Sequence, residues 1–440
     1  MRLTVEISGL APGGEGVCEA AGRPCFVPYA APGDRAEVEV GEGAGPAHAT
    51  LLRVVEPGPG RVAPPCPHFG PPQAGEPERL CGGCEWLHLD YGLQLEQKRR
   101  ALEEALRRIG RLAPGTYPLA ATVASPRPLR YRCRAKFHLD GPSGRLAFFR
   151  RRSHAPVRLS GCHLLVPGLD RLREAVGPAL ARARPWPAEV ALEWSDHEGR
   201  GSAYLRFRDA GSAARRRVEE LLADVPALAG ALLEGEADDR GRRPAAAFGD
   251  PVLFHERAPG EPSAGLARSR PDVFQQANRY ANARLVAAAL DLLRPEGEDV
   301  LELFCGAGNF TGPLARRARS LAAVEVQGPA LDLARADLGG GPVRFFAGDA
   351  LALGHALARE GTRSGALLLD PPREGMRGLA PLLVALAAPR AVYVSCDPAT
   401  FARDVRAAVE AGYRLDAVVP VDMFPQTHHL ECVARLRRAG

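Results

Sequence analysis

The sequence predicts an α/β protein that ends in a doubly wound, Rossmann-like parallel sheet, preceded by an OB-like β-barrel and a mixed α+β central domain. Three observations support this prediction. Residues 1–58 form short alternating stretches between Gly/Pro turns, residues 59–270 are mixed and strand-rich, and residues 271–440 alternate between helical and strand patterns. Strands that alternate with helices are typical of a parallel sheet with helices on both faces. The 440 residues are enough for each part to bury its own core.

The composition is that of a soluble globular protein, with 46% hydrophobic and 25% charged residues. No run approaches the roughly 18 apolar residues that a membrane-spanning helix needs. Residues 1–7 alternate like a strand and lack the apolar core of a signal peptide. We therefore expect a cytoplasmic protein without membrane contact, and we expect it to be a monomer.

The net charge is +5, and Lys98 and Lys136 are the only lysines among 57 basic residues, which leaves 55 arginines. Arginine forks phosphate groups and stacks on bases, which favours RNA as a partner. A GC-rich genome, whose codons favour Ala, Arg, Gly and Pro, explains the same bias without any partner. The total charge therefore does not choose between the two, and local clusters are more informative.

The N-terminal part, residues 1–58, alternates in hydrophobicity at residues 3–7 and 36–40 and carries turns at 13–14, 32–33 and 43–45. This pattern predicts a five-stranded barrel of the OB type. Barrels of this type often bind oligonucleotides, so RNA binding is expected here by analogy of fold alone.

The middle of the chain combines a helix with basic strands. Residues 91–110 predict a charged amphipathic helix that we expect to pack on the C-terminal domain. Arg130, Arg132, Arg134 and Lys136 alternate along one predicted strand, which places their charges on one face. Basic residues interleaved with aromatic ones suit single-stranded RNA, although a solvated strand face has the same pattern.

A glycine-rich turn follows the first strand of the C-terminal part. Phe304 ends that strand, and Gly306, Gly308 and Asn309 lead into a helix. Glycines let a ligand approach the backbone, and a helix start offers free amides. The third glycine of a dinucleotide site is missing. The loop alone therefore indicates a nucleotide-like cofactor only weakly.

Acidic residues follow the next strands. Glu325 ends the second strand, where doubly wound folds place a carboxylate for ribose hydroxyls, Asp349 follows the third, and Asp370 follows the fourth. Each of these acids singly could be a helix cap. Together with the glycine turn they predict a site for S-adenosylmethionine at the carboxyl edge of the sheet.

A thiol lies one α/β unit further on, in Ser395-Cys396-Asp397-Pro398. A cysteine at a strand end is usually a packing residue. The polar turn around Cys396 and its place beside the methyl-donor site favour a nucleophile instead. A thiolate that adds to a ring can activate a carbon that is too weakly nucleophilic to accept a methyl group unaided.

Five motifs, in order across residues 274–431, resemble the RNA uracil-C5 methyltransferase family, which makes 5-methyluridine. They are Phe274-Gln275-Gln276-Ala277-Asn278, Leu303-Phe304-Cys305-Gly306-Ala307-Gly308-Asn309-Phe310-Thr311, Asp370-Pro371-Pro372-Arg373, Ser395-Cys396-Asp397-Pro398-Ala399-Thr400 and Asp422-Met423-Phe424-Pro425-Gln426-Thr427-His428-His429-Leu430-Glu431. The N-terminal half resembles the subgroup with a TRAM barrel and a [4Fe-4S] cluster, so the resemblance covers nearly the whole chain.

The resemblance implies roles for individual residues. Cys396 matches the nucleophile and Glu431 the carboxylate that acts as base. The positions that handle the methyl donor or the target base are Gln276, Phe304, Glu325, Asp349 and Asp370, with Gly306, Gly308 and Asn309 in the donor loop. Two departures from the family pattern are Glu302, where Asp is usual, and Asp397, where Asn is usual. A charge at 397 is expected to raise the pKa of the thiol unless it is paired.

Four further cysteines, Cys66, Cys81, Cys84 and Cys162, lie in loop-like segments. Such a set can hold zinc or an iron–sulfur cluster, and the spacing does not distinguish them. The resemblance favours a [4Fe-4S] cluster with a structural role. This chain departs from the family by a longer spacing between the first two cysteines, and we interpret residues 71–79 as an inserted loop. Cys18, Cys25, Cys133, Cys305 and Cys432 are expected to be packed, inert thiols.

The leading hypothesis is therefore S-adenosylmethionine-dependent methylation of uridine C5 in RNA, with 23S ribosomal RNA favoured and transfer RNA open as substrate. Two alternatives stay in view. Asp-Pro-Pro also occurs in enzymes that methylate nucleobase amino groups, but those need no cysteine and place an aromatic residue where this chain has Arg373. The other is a non-catalytic iron–sulfur RNA-binding protein, against which the intact Cys396 and Glu431 weigh.

Overall fold

The computed structural model describes residues 1–20, 22–41, 45–71, 80–141, 143–237, 243, 245–362 and 364–439. The insertion predicted at 71–79 lies, apart from Pro71, outside the described residues. Within the described residues, no helix is both long and apolar enough to cross a bilayer.

The N-terminal unit is a curled sheet of six strands in the order β1-β5-β6-β4-β3-β2. The strands are β1 (Arg2–Glu6), β2 (Gly9–Leu10), β3 (Gly16–Ala20), β4 (Arg23–Val27), β5 (Arg35–Val40) and β6 (Ala47–Glu56). Strand β6 pairs antiparallel with β5 along most of its length and parallel with β4 at its start. In the described part of the chain no ladder joins β1 to β2, so the sheet forms a half-barrel of six strands, which agrees only in part with the five-stranded OB-type barrel that the sequence predicts.

Two features account for that difference. Strand β2 has only two residues, too short to register in a hydrophobicity pattern. Strand β6 has ten residues, and its pairing with β5 shifts register twice. Such bulges bend a strand and increase its twist, which lets one long strand serve both halves of a curled sheet.

Helix α1 (Tyr91–Arg108) connects the N-terminal unit to the rest of the chain. Asp90 caps it by accepting hydrogen bonds from the N–H groups of Gly92 and Leu93. Its buried Leu102 and Leu106 pack in the core of the C-terminal sheet, so this helix belongs structurally to the far end of the chain.

The central unit is a seven-stranded sheet in the order β13-β12-β11-β10-β7-β8-β9, whose hydrophobic core includes residues of two helices. Its elements are β7 (Arg134–Asp140), β8 (Arg145–Phe149), β9 (Pro156–Val157), α2 (Pro167–Ala181), β10 (Glu189–Ser195), β11 (Arg200–Arg206), α3 (Ser212–Asp224), β12 (Leu228–Glu234) and β13 (Ala245–Gly249). A hairpin of β14 (Leu253–Glu256) and β15 (Leu266–Ser269) follows, before the C-terminal sheet.

The C-terminal unit is a seven-stranded sheet in the order β18-β17-β16-β19-β20-β22-β21. Its elements are α4 (Arg279–Leu293), β16 (Asp299–Leu303), α5 (Thr311–Ala315), β17 (Ser320–Glu325), α6 (Gly328–Leu338), β18 (Val343–Ala347), α7 (Ala350–Arg359), β19 (Ala366–Leu369), α8 (Leu379–Leu386), β20 (Arg390–Ser395), α9 (Pro398–Glu410), β21 (Tyr413–Val421) and β22 (Glu431–Arg438).

The five strands from β16 to β20 are parallel, and two hydrophobic cores cover the sheet, which confirms the predicted doubly wound α/β fold. Strand β22 runs antiparallel to β20 and to β21. The strand order reverses between β16 and β19, which is where open α/β sheets bind their ligands.

Candidate active site

The nucleophile and base predicted from the sequence meet at the carboxyl edge of the C-terminal sheet. Cys396 follows the end of β20, and Glu431 is the first residue of β22. Because β22 is antiparallel to β20, its start lies at the same edge, and Ser395 pairs directly with Cys432. The two predicted catalytic side chains therefore come from adjacent positions on neighbouring strands.

The glycine turn after β16 lies at the same edge. Phe304 has a φ of 64°, and Gly306 and Gly308 have φ of 55° and 87°. A positive φ is uncommon for an aromatic residue and marks backbone held in place by its surroundings. A side chain at Gly306 would meet no atom within 4 Å, whereas one at Gly308 would touch helix α6. The space over Gly306 is therefore open to a ligand.

Glu325 fastens this turn to the neighbouring strand. One carboxylate oxygen accepts a hydrogen bond from the N–H of Gly306 at 2.9 Å, and the other accepts from the N–H of Gln327 at 2.8 Å. The predicted acid at the end of the second strand thus lies directly beside the glycine turn.

The remaining predicted cofactor residues divide by their contacts. Asp349 is exposed and caps α7 by accepting a hydrogen bond from the N–H of Ala352. One of its carboxylate oxygens therefore has the helix-cap role that the sequence offered as the alternative. The Asn309 carboxamide is paired with that of Asn282 through reciprocal hydrogen bonds of 2.8 and 3.0 Å. By contrast, the Gln276 side-chain oxygen is buried without a hydrogen-bond partner among the described residues.

The Cys396 thiol has a pKa raised to about 12 by burial and by the nearby charge of Glu431, with Arg373 acting in the opposite direction. Asp397, the departure noted in the sequence, is a smaller contributor. Its carboxylate accepts hydrogen bonds from the N–H groups of Ala399 and Thr400, because it is the N-cap of α9. The charge at 397 is therefore paired.

Two carboxyl groups beside the thiol have raised pKa values as well. Burial and the neighbouring Asp370 raise the pKa of Glu431 well above its usual range, and Glu431 is only 3% exposed. Burial alone raises the pKa of Asp370 to about 7. A site in which burial raises the pKa values of neighbouring carboxyl groups is suited to proton transfer.

Glu302 lies under the glycine turn and is fully buried. Burial raises its pKa to about 8, with Asp370 and Glu325 adding to the effect and the Thr311 hydroxyl opposing it. The exchange of the usual Asp for Glu therefore places a carboxyl that is largely protonated at neutral pH below the donor loop.

A contact that the sequence did not indicate holds the donor loop from outside the sheet. Arg257, on the hairpin of β14 and β15, donates a hydrogen bond to the carbonyl of Gly308 at 3.1 Å and contacts Asp337 of α6 at 3.2 Å. Arg268, on the same hairpin, also binds Asp337.

A second group missed in the sequence is buried behind the active site. Lys98 of α1 donates hydrogen bonds to Asp422 and to the carbonyl of Phe424, and both Lys98 and Asp422 have side chains with 0% exposure. The signal that could have found it is that Lys98 is one of two lysines in a chain with 57 basic residues.

The four predicted cluster cysteines, Cys66, Cys81, Cys84 and Cys162, line one cavity of about 650 Å³. Burial raises the pKa of each thiol; repulsion from the other cysteines contributes for Cys66, Cys81 and Cys84, and the nearby Asp170 contributes for Cys162. Among the described residues no three His, Cys, Asp or Glu side chains converge closely enough to hold a single metal ion.

The predicted stripe of basic charges is only partly correct. Strand β7 begins at Arg134, and Arg130 has a φ of 54°, which breaks the alternation. The Arg130 guanidinium binds the carbonyl of Cys162, and Arg134 binds the carbonyls of Val273 and Pro271. These two arginines therefore hold neighbouring segments together and do not form a free strand face.

Comparison with known proteins agrees with the geometry. A family model described as tRNA (uracil-5-)-methyltransferase matches residues 265–343 and 359–439. The 23S rRNA (uracil(1939)-C(5))-methyltransferase RlmD of Pectobacterium atrosepticum is 33% identical, with 98% of this chain and 93% of that protein covered. The RlmD of Alkalilimnicola ehrlichii is 35% identical, with 99% and 96% covered.

A solved structure has the same fold from end to end. The tRNA (uracil-54, C5)-methyltransferase of Pyrococcus abyssi, in complex with S-adenosyl-L-homocysteine, superposes with a TM-score of 0.73 at 22% identity, covering 98% of this chain and 99% of that one. Relatives above 30% identity that align over nearly their whole length show membership of a family, and the five sequence motifs point to the same one. The chain belongs to the RNA uracil-C5 methyltransferase family.

Proposed function

We propose that the protein transfers a methyl group from S-adenosylmethionine to C5 of a uridine in 23S ribosomal RNA, through a covalent adduct with Cys396. The observation that carries the proposal is the meeting of Cys396 and Glu431 at the sheet edge that also holds the glycine turn. Ribosomal RNA is favoured over transfer RNA because the relatives named RlmD are 33–35% identical over almost the whole chain. The transfer RNA enzyme of similar fold is only 22% identical.

The chemistry divides one hard step into easier ones. The Cys396 thiolate forms a bond to C6 of uracil, and the electrons of the C5–C6 double bond move into an enolate with carbanion character at C5. C5 then takes the methyl group as the sulfonium–methyl bond breaks, leaving neutral S-adenosylhomocysteine. Glu431 removes the C5 proton, the C5–C6 double bond re-forms, and the C6–sulfur bond breaks to release the thiolate.

In the free protein, the protonation state of Cys396 has to change before these reaction steps can begin. Cys396 with a pKa of about 12 is a neutral thiol at pH 7, and its proton has to pass to solvent before addition. A cation placed beside a thiol or carboxyl favours the charged form. The sulfonium of the donor is such a cation, so donor binding lowers the pKa values of Cys396 and of the carboxyl groups around it.

The donor site is proposed at the glycine turn. The open space over Gly306 admits the donor, Glu325 lies where ribose hydroxyls bind, and Phe304 and Gly308 shape the turn. Asp349 and Asp370 complete the rim of the site. The unpartnered oxygen of Gln276 is available to the donor or the target base. The carboxamide of Asn309 is already paired with that of Asn282, so we assign Asn309 a role in holding the donor loop to α4 and not a direct contact with the donor.

We also propose that Cys66, Cys81, Cys84 and Cys162, which line one cavity, hold a [4Fe-4S] cluster and not a zinc ion. Zinc–sulfur bonds of about 2.3 Å require the four sulfurs to converge on one point. A four-iron cluster instead takes its thiolates around a larger cage, and among the described residues the same side chains form no site for a single ion. When bound, such a cluster would cross-link the segments around residues 66, 81–84 and 162. The methyl transfer needs no electron, so we assign the site a structural role.

The test uses 5-fluorouridine at the target position of a 23S ribosomal RNA fragment, with S-adenosylmethionine. Fluorine cannot leave C5 as a proton does, so the wild-type protein should form a covalent protein–RNA complex that survives denaturing electrophoresis. Cys396→Ala should form none. Cys432→Ala, which removes the neighbouring packed thiol, is the matched control and should retain the complex.

Two results would contradict the proposal. A covalent complex in Cys396→Ala would place the nucleophile elsewhere. No complex from the wild-type protein would favour an enzyme that methylates an amino group or a protein without catalysis. A parallel reaction with a transfer RNA carrying 5-fluorouridine separates the two substrate classes.

A further inference from the structure

The loop between β21 and β22 carries the proposed base at its end. Val421 and Glu431 are opposite each other in the β21–β22 ladder, and residues 422–430 connect them. They form the last pair of that ladder, where strands fray most easily. The placement of Glu431 therefore depends on what holds residues 422–430.

Helix α1 holds this loop through two side chains one turn apart. Lys98 donates to a carboxylate oxygen of Asp422 at 2.5 Å and to the carbonyl of Phe424 at 3.0 Å. Gln94 donates to the side-chain oxygen of Gln426 at 3.0 Å and accepts from the N–H of Gln426 at 2.9 Å. Residues four apart on a helix lie on one face, so both side chains can reach the same loop. Together they contact three residues of that loop, Asp422, Phe424 and Gln426.

Both side chains are completely buried. A buried ion pair adds little to stability, because the cost of removing two charges from water offsets their attraction. The chain nevertheless retains Lys98, although nearly all its other basic residues are arginines. A compact ammonium with three donors suits a position enclosed by Asp422, the Phe424 carbonyl and, at 5.7 Å, the Trp86 ring. Its contribution is therefore better explained by placement of the loop than by stability.

We propose that Gln94 and Lys98, the α1 clamp, are positioning residues that place Glu431 for removal of the C5 proton. This inference rests on the proposed function. Cys396 lies between β20 and α9, outside the clamped loop, so loss of the clamp leaves addition of the thiolate intact. Proton removal suffers instead, and the methylated adduct persists.

The experiment compares formation and resolution of the adduct in Lys98→Met. With 5-fluorouridine RNA, which reports formation alone, the variant should react at the wild-type rate. With ordinary uridine RNA and a labelled methyl donor, the methylated protein–RNA adduct should accumulate, and its release should slow by about 100-fold, the loss expected from a displacement of about 1 Å. Gln94→Leu should show the same pattern to a smaller degree and provides a second test if Lys98→Met does not fold.

Two controls separate positioning from a general loss of stability. Arg100→Met removes an exposed ion pair from α1, and its release rate should match the wild type. Leu106→Ala removes a buried side chain of α1 that makes no hydrogen bond to the loop, so formation and release should fall together. In the double variant Lys98→Met/Asp422→Leu, which removes both charges, release should remain slow.

Three outcomes are decisive against the clamp. Equal slowing of formation and release in Lys98→Met would show that the ion pair only stabilises the fold. Release at the wild-type rate in Lys98→Met, or in the double variant, would show that the charge does not place Glu431. If the wild-type protein itself forms no adduct, the proposed function fails, and that result is distinct from a failure of the clamp alone.

Discussion

Cys396 should be an unusually unreactive thiol in the free protein, and alkylation measures this directly. Its pKa of about 12 leaves about one molecule in 30,000 ionised at pH 7.5. An unperturbed cysteine, with a pKa of about 8.5, is about one tenth ionised at the same pH. The thiolate population at Cys396 is therefore smaller by about 3,000-fold.

The rate does not fall by the whole of that factor, because a thiolate of higher pKa is the better nucleophile. With a Brønsted coefficient of about 0.4–0.5, a difference of about 3.5 pKa units makes each Cys396 thiolate about 25- to 60-fold more reactive. The net expectation at pH 7.5 is alkylation about 50- to 120-fold slower than that of an unperturbed thiol. Below the pKa, thiolate rises with pH, so the rate should increase about tenfold per unit from pH 7 to 10.

The assay is alkylation with iodoacetamide, followed by mass spectrometry of the peptide that contains residue 396. A free cysteine peptide is the reference, and its rate should level off above its own pKa of about 8.5. S-Adenosylmethionine should accelerate the reaction relative to S-adenosylhomocysteine, because only the former carries a sulfonium charge and the two otherwise differ by a single methyl group. A rate at Cys396 that levels off near pH 8 would refute the reasoning.

Glu431→Gln keeps the shape of the base and removes its basicity, so a methylated covalent adduct should accumulate with ordinary uridine RNA. Turnover should fall by ~10²–10⁴-fold. Rapid release of the adduct on denaturing gels would show that another group removes the C5 proton. Arg257→Met removes the hydrogen bond to the donor loop and should weaken S-adenosylhomocysteine binding about 10- to 100-fold by calorimetry, the effect of losing a charged hydrogen bond. Arg317→Met, at an exposed position whose guanidinium contacts Glu296 and not the donor loop, should bind as the wild type does. Equal affinities in all three proteins would remove Arg257 from the site. Cys81→Ser should lose iron and visible absorption and unfold at a lower temperature, because metal binding contributes folding free energy. The control Cys18→Ser, in the N-terminal sheet, should keep its iron. An unchanged iron content in Cys81→Ser would exclude Cys81 as a ligand.

The positions of many active-site residues could be predicted because these residues lie at the ends of strands. The glycine turn after Phe304, the acid Glu325 and the thiol Cys396 each follow a strand pattern. Carboxyl ends of parallel strands share one edge, so these side chains had to converge once the fold class was known. Glu431 came from the family resemblance instead, because nothing local shows that β22 is antiparallel.

The N-terminal barrel and the basic stripe were harder to predict for physical reasons. A two-residue strand such as β2 carries no periodic signal, and a bent strand such as β6 looks straight in sequence. Arg130 and Arg134 alternate in the sequence, yet Arg130 lies outside strand β7 with a φ of 54°, and both side chains bind carbonyls of other segments. Alternation predicts which face a side chain takes but not which partner covers that face.

The amino-acid sequence by itself determined the order of strands and helices and the chemical groups at each strand end, because both depend on neighbouring residues. The tertiary structure alone decided how those groups behave. Lys98 and Asp422 are 324 residues apart, and only folding brings them into one buried pair. The pKa of Cys396 likewise depends on burial and on Glu431, Arg373 and Asp370, which other elements supply. Burial and electrostatics act through space, so no local pattern contains them.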